Sequence, residues 1–453
     1  MNLLFIILDS ADCELIDQLC KRGDLPFLAE FISQGCTTKI TYDPSFFNVS
    51  SCFNLNTGMD VQQHEQYSYS LYDRETGKLT KLNPETIAKD TIFHALDEKG
   101  TLQLLIDIPR LPHLFLKNGR QVVDWYPHDR VTTKLTTTPM ELEEYIRNTY
   151  GEDPFSGKCD DFIVHSAEHG DVFTNHLLDR IDNKTFLVLE ELDKADYEVA
   201  AISYGDTHCA GHRCWHFHDP KHQSYSPNLK DTRDNPLTKA YRKIDQSISK
   251  ICKHWNGSIA ILANTGMQAN HSNNQLLKIA LQRFNQKVPH GRNRSLKNSI
   301  HSTSQEKQLQ QSFALPVSDT VFAVRANVVG RDLNGVISPG KELESYLLEL
   351  IQELLALRSM NGLEPIFLSY KLWTDINKLD INHNLPDVTF TWNCKTAVHA
   401  AGSTYLGLIY KPVKPKRTGT HTSNGRCWTN KPSILPESIA DHELLQQLIR
   451  NSK

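Results

Sequence analysis

His208 and His212 stand four residues apart in SYGDTHCAGHRCWHFHD (203–219), directly after a short apolar run. If that stretch is helical, both imidazoles leave one face and can share a metal ion; hydrogen-bonded or solvent-facing histidines show the same spacing. Asp9 ends the apolar run LLFIIL (3–8). Open α/β sheets collect ligands at such carboxyl ends of strands, although Asp also simply terminates strands. His421 lies between Gly419 and Gly425 in the turn-rich GTHTSNG, which carries no signal by itself. A chain with 20 histidines, several of them clustered, invites a search for a metal site.

The elements that must position these residues read as an α/β fold. The run at 3–8 is apolar without alternation, as in a parallel strand buried on both faces, and Leu15, Leu19, Leu28, Phe31 and Ile32 follow at helical spacing. Similar short strands are expected at 197–203 and 258–263, the second preceded by a helix over 237–254. After Pro339-Gly340, six apolar residues from Leu343 to Leu355 mark one buried face of a helix over 341–358. Residues 67–193 have mixed character and are expected to form an insertion or cap over one sheet edge, leaving 1–66 and 194–453 as the catalytic core. The polar, basic stretch 286–311 reads as a surface loop, and 411–417 (KPVKPKR) as a solvated basic run.

Composition narrows the class. With 453 residues, 39% hydrophobic, 23% charged and a net charge of -4, the chain is an ordinary globular protein and gives no sign of a nucleic-acid or membrane partner. The six-residue apolar run near the start is far short of the roughly 20 that span a bilayer, and no basic segment precedes it. Ten cysteines without a CxxC pair are expected to remain thiols in a reducing compartment, so the cytoplasm is the expected location.

In order and setting, a series of segments resembles the alkaline phosphatase superfamily, and within it the predicted phosphohydrolase branch related to type I phosphodiesterase/nucleotide pyrophosphatases. The segments are IILDSADCELIDQLCKRGDLPFLAEFISQGC at the start, TGMDVQQHEQ (57–66), DYEVAAISYGDTHCAGHRCWHFHDP, ILANTGM, VRANVVGRDLNGVISPG, LPDVTFTW and GTHTSNG. The resemblance implies an alkaline-phosphatase-like, mostly parallel central sheet with helices on both faces. In that family one metal is held by an Asp, a His four residues later and a C-terminal His; the matching positions here are His208, His212 and His421. The other metal is held there by the first-strand Asp, a nucleophilic Thr or Ser and an Asp-His pair; here these are Asp9, Asn48, Asn264 and Thr265.

Such departures change the implied chemistry. The amide of Asn48 cannot form a covalent phosphoenzyme, and the second metal loses most of its donors. Three neutral imidazoles suit one borderline-soft divalent ion, Zn foremost and Fe or Mn as alternatives, with Asp9 as a further ligand or a partner of the histidines. Asp9 and Asp206 are candidates to orient water or take its proton, and Asn48 and Asn264 to bind a substrate oxygen. Ser50 and Ser51 are candidates either for a displaced nucleophile or for a helix N-cap. The expected function is hydrolysis of a small anionic phosphate or related ester by water at a single metal. The alternatives are a single-metal lyase or tailoring enzyme, and a pseudoenzyme that keeps the fold as a binding module; metal content and a substrate panel separate them.

Overall fold

The computed structural model describes residues 2–128, 130–131, 134–162, 164, 167–222, 224–225, 235–287, 310–374, 384–393, 395–413, 416–431 and 434–452. Among them a nine-stranded sheet runs in the order Ser438–Ala440, Cys36–Thr41, Gly425–Thr429, Ser258–Ala263, Leu3–Leu8, Val199–Tyr204, Gln103–Ile106, Gly119–Val123, Thr136–Thr138. From Ser258–Ala263 to Gly119–Val123 all neighbours pair in parallel. The unbroken apolar run of the first strand now has its reason. Leu4, Ile6 and Leu8 enter the core on one face, Leu3, Phe5 and Ile7 the core on the other. Each such side chain, fully buried, is worth about 1.5–3 kcal/mol.

Helices cover both faces as the α/β reading requires. Ala167–Leu192 and Pro236–Lys253 pack on one side through Phe173, Leu177, Ile181, Ile244 and Ile248. Asp441–Asn451 covers the other through Leu444, Leu445 and Leu448. Pro236–Lys253 starts where Asn235 Oδ1 accepts from Thr238 N (2.9 Å) with Pro236 in the first turn, so a side-chain cap and a residue without an N–H meet at one end.

The segment 67–193 is not a separate cap. It supplies three strands of the central sheet, Gln103–Ile106, Gly119–Val123 and Thr136–Thr138, together with the long helix Ala167–Leu192. A second core lies between Ser258–Ala263 and Gly425–Thr429 in the chain. There the antiparallel strands Ser312–Leu315, Val321–Ala326, Val388–Trp392 and Phe367–Leu372 pack against the helices Asn274–Lys287 and Lys341–Leu355. The GRD and LPD segments meet beneath it. Arg331 Nη1 lies 2.6 Å from Asp387, and Arg325 and Arg331 each lie 2.9 Å from Asp332, all four side chains fully buried. Burial opposes the Asp387 charge, but Arg331 outweighs it and holds the carboxyl down at about 2. The expected loop at 286–311 falls almost wholly outside the described residues, as do 414 and 415 of the basic run.

Candidate metal centre

The site grows from the carboxyl ends of adjacent parallel strands. Asp9 follows Leu3–Leu8, Asn264 follows Ser258–Ala263, and Val199–Tyr204 leads through Gly205 into the helix Asp206–His218. Thr207 Oγ1 donates to the Asp9 carbonyl (2.6 Å) and ties the helix start to the first strand. His421 arrives on the short strand Gly419–Thr422, which pairs antiparallel with Gly266–Ala269 and places His421 opposite Met267. Two glycines let that strand approach the helix. A Cβ on Gly419 would stand 2.2 Å from the Gly211 carbonyl oxygen, and one on Gly211 would stand 2.8 Å from Met267 Cγ.

The three predicted imidazoles come together. His208 Nε2 and His212 Nε2 are 3.0 Å apart, and the His421 ring stands nearly perpendicular to both, with centroids 4.6 and 4.7 Å away. The other nitrogens of the first two rings are committed. His212 Nδ1 lies 2.8 Å from the Gly419 carbonyl oxygen, which can only accept, so Nδ1 carries a hydrogen. His208 Nδ1 lies 2.8 Å from Asp9 Oδ2 and donates to the carboxylate. With each Nδ1 so committed, the two Nε2 atoms face each other across 3.0 Å of buried space, a gap that a proton or a cation closes. Both nitrogens of His421, 3% exposed, lack a hydrogen-bond partner. The donor set therefore fits a cation.

Electrostatics favour the neutral form of two of the rings. Burial, then Arg417 and the neighbouring imidazoles, pushes His212 well below the usual imidazole range; burial, His208 and Arg417 do the same to His421. Burial opposes charge on Asp9, but the facing His208 and the hydrogen bonds from His208 and Asn264 outweigh it and hold the carboxyl well below the usual range.

Around this centre the other expected residues take different places. Asp9 stands behind His208, with its Oδ1 accepting from Asn264 Nδ2 (3.0 Å). Asn264 Oδ1 accepts from Ser10 N (2.7 Å) and Thr265 N (3.0 Å), so the amide braces Asp9 at the wall of a small cavity. Asp206 is turned away. Its Oδ1 lies 3.2 Å from Arg180 Nε, both side chains are fully buried, and burial raises its pKa to about 6 against Arg180 and Lys184. An orienting or proton-accepting role for Asp206 at the imidazoles does not fit that position. Asn48 begins the helix Val49–Thr57 without a side-chain cap bond, and Ser51 Oγ donates to its carbonyl (2.8 Å). Neither Ser50 nor Ser51 caps the helix.

Two cavities meet at Asn48. One, of about 50 Å³, is lined by Asp9, Asn48, Arg110, His128, His208 and Asn264. The other, of about 300 Å³, includes Asn48, Tyr69, Lys278, Asp319, Arg417 and His421. Arg417, expected in a solvated run, is turned inward to pair with Asp160. Four residues lining the smaller cavity, Ser10, Asp107, Arg110 and Asp124, hold left-handed backbone angles without being glycine. Such conformations persist where the surroundings over-determine them.

Two residues escaped the sequence reading. His128 stacks on His208 with ring centroids 3.7 Å apart and an 18° interplanar angle. Arg110 lies over the Tyr69 ring at 4.4 Å. Both follow strands of the central sheet at their carboxyl ends, which was the available signal. Asp107 holds the His128 loop in place, accepting from Trp125 N (2.9 Å) and Tyr126 N (3.0 Å) while it pairs with Lys184 (2.8 Å). Among the described residues no helix is long and apolar enough to cross a membrane.

With this geometry in place, comparison with known proteins agrees at the level of family and fold. The profile of the family Type I phosphodiesterase / nucleotide pyrophosphatase matches residues 3–320. No curated protein matches the sequence. Among solved structures, phosphonoacetate hydrolase from Sinorhizobium meliloti 1021 in complex with phosphonoacetate is similar at TM-score 0.54 and 11% identity, covering 99% of this chain and 95% of that one. Murine ectonucleotide pyrophosphatase / phosphodiesterase 5 is similar at TM-score 0.54 and 11% identity, covering 99% and 94%. At such identity these structures speak for the fold, and the profile match over most of the chain speaks for the family. The chain belongs to the type I phosphodiesterase/nucleotide pyrophosphatase family of metal-dependent hydrolases.

Proposed function

We propose that this hydrolase cleaves a small anionic phosphate or related ester with one divalent metal, Zn foremost, held by His208, His212 and His421. The observation that carries the reading is the pair of Nε2 atoms 3.0 Å apart whose rings are each tied off at Nδ1. Without a proton or a cation between them two lone pairs face each other, which buried structure does not tolerate unpaired. A metal there supplies Lewis acidity and lowers the pKa of water toward neutrality.

The chain's own residues complete the site. Asp9 fixes the His208 tautomer, and Asn264 takes the place beside Asp9 where a second cation would need a charged ligand. Asn48, at the start of the nine-residue helix Val49–Thr57 and on the wall of both cavities, is placed to donate an amide hydrogen to a substrate oxygen. Arg110, stacked on Tyr69 at the smaller cavity, supplies positive charge toward the anionic group. Asn48 itself cannot form a covalent phosphoenzyme, and this reading takes water as the nucleophile.

The test is a panel of p-nitrophenyl phosphate, bis(p-nitrophenyl) phosphate, p-nitrophenyl sulfate and phosphonoacetate, the last because it is bound in one structural neighbour. Metal-dependent turnover, lost in His208→Ala and unchanged in Ser50→Ala, supports the reading. Turnover that survives metal removal and vanishes in Ser50→Ala overturns the water mechanism. Full metal occupancy with no hydrolysis of any substrate would favour a lyase or a binding module.

A further inference from the structure

Beside the three imidazoles lies a second group of donor atoms that hydrolysis does not use. Cys209 follows His208 on the helix Asp206–His218, Cys159 begins the short turn Cys159–Asp161, and His128 closes the loop after the strand Gly119–Val123. Distant in sequence, the three meet in the interior: Cys209 is 0%, Cys159 1% and His128 6% exposed. The two Sγ atoms are 2.8 Å apart. His128 Nδ1 points between them, 3.0 Å from Cys159 Sγ and 3.4 Å from Cys209 Sγ.

At 2.8 Å the two sulfurs are closer than packing contact, and both cysteines are free thiols. A disulfide needs about 2.05 Å, and heavy atoms in simple packing contact settle at about 3.5 Å or more. A third donor aimed between the sulfurs has no function in a disulfide. In a tetrahedral zinc site, Zn–S distances of about 2.3 Å and Zn–N distances of about 2.0–2.1 Å set S···S near ~3.8 Å and N···S near ~3.5 Å. Seating the ion asks the sulfurs to open by about 1 Å and the imidazole to withdraw by about 0.5 Å or less.

The surroundings are those of a ligand set. Asp160 Oδ2, which pairs with Arg417, lies 3.9 Å from His128 Nε2, close enough for its charge to act on the ring and beyond hydrogen-bond reach. Two thiolates and a divalent ion sum to no net charge, so the ion adds none to the interior. We infer that Cys159, Cys209 and His128 form a thiolate-rich binding site for a soft divalent cation, Zn²⁺ in a reducing environment, adjoining the three-imidazole centre through His128, whose donor atoms also lie within 4.8 Å of those of His208 and His212. Its role is structural. It pins the loop that ends in His128 and the turn at Cys159 to the helix bearing His208, and holds His128 against the His208 ring, 3.7 Å between centroids, as a wall of the smaller cavity. The inference stands whether or not the imidazole centre is loaded.

The experiment titrates Co²⁺ into metal-free full-length protein under reductant and follows the near-ultraviolet charge-transfer absorption of cobalt bound to thiolate, with metal counted by mass spectrometry. Wild type is expected to take up two equivalents and show the band. Cys159→Ser/Cys209→Ser loses the band and one equivalent, and His421→Ala loses one equivalent and keeps the band. The second result separates this site from the imidazole centre: failure of that centre alone leaves the band in place. Should the double variant fail to fold, Cys159→Ser alone is read by the same band, with circular dichroism as the check on folding. Wild type without the band overturns the inference. So does a denaturing thiol count, made without reductant, that falls two short of the ten cysteines, with Cys159 and Cys209 found crosslinked in one peptide pair.

Discussion

Replacing Gly419 with alanine tests how the site is assembled without touching a donor atom. The new Cβ would stand 2.2 Å from Gly211 O, 3.0 Å from Gly211 C and 3.1 Å from Trp215 Cβ, where ordinary contact begins at 3.4 Å. Two of these are backbone atoms of a buried helix, so the strand must retreat by about 1.2 Å to reach ordinary contact. His421 lies two residues along the same strand, and metal ligands tolerate displacements of only about 0.2 Å. The same movement lengthens the 2.8 Å bond from His212 Nδ1 to Gly419 O. Loss of such an orienting partner costs roughly 10–100-fold in metal affinity. Overpacking of this size also costs about 1–3 kcal/mol of stability.

Gly419→Ala is therefore expected to fold, to melt lower than wild type in the metal-free state, and to bind Zn²⁺ at least about tenfold more weakly in competition with a fluorescent chelator. Gly170→Ala is the control. Its Cβ would meet only ordinary contacts of 3.6–3.7 Å inside the helix Ala167–Leu192, so metal affinity should not change and stability should rise by up to about 1 kcal/mol. Wild-type zinc affinity in Gly419→Ala would refute the reasoning that close approach of strand and helix places His421.

Three further outcomes are expected. Asp9→Asn removes the carboxylate behind His208, and calorimetry should show metal affinity down about 10–100-fold with fold retained; an unchanged affinity removes Asp9 from the account. Asp387→Asn leaves Arg331 facing an uncharged partner in full burial, and urea unfolding should show a loss of about 3–5 kcal/mol, whereas a loss below about 1 kcal/mol would mean the network carries little weight. His64 accepts from Gln66 N at Nδ1 (2.9 Å) and contacts Asn54 Oδ1 at Nε2 (2.6 Å), and burial lowers its pKa from 6.5 to about 4 against the pull of Asp60. Below pH 6.5 the unfolded chain takes up a proton that the folded ring refuses, so this contribution is complete above pH 6.5 and is lost as pH falls toward 4, by about 3 kcal/mol in all. His64→Gln should flatten that part of the stability profile, and an equally steep profile in the variant would assign the acid lability elsewhere.

The residues that were legible in the sequence are those whose local pattern and chemistry coincide. The strand Leu3–Leu8 reads as buried on both faces because it is, and His208 and His212 share a face because a helix turns 100° per residue. The same rule explains Asp206: two positions before His208 is 200° around the helix, which turns the carboxylate to Arg180 and away from the imidazoles. Other features were hidden by weak signals. Gln103–Ile106 is only four residues long and Gly119–Val123 is half polar, so two central strands did not announce themselves and 67–193 read as a cap. His128 was lost with them, because its position depends on Asp107 and on a sulfur pair from two distant segments. The bracing role of Asn264 was hidden because its hydrogen bonds to Ser10 and Asp9, 254 and 255 residues away, exist only once the strands are side by side.

The central claim is that His208, His212 and His421 share one cation while the place beside Asp9 and Asn48 holds none. Diffraction at a metal absorption edge, on crystals of the Cys159→Ser/Cys209→Ser variant grown with zinc, tests it most directly. The account predicts one anomalous peak, within about 2.0–2.1 Å of a nitrogen of each of the three imidazoles. A second peak between Asp9, Asn48 and Asn264, or no peak among the three rings, would contradict it.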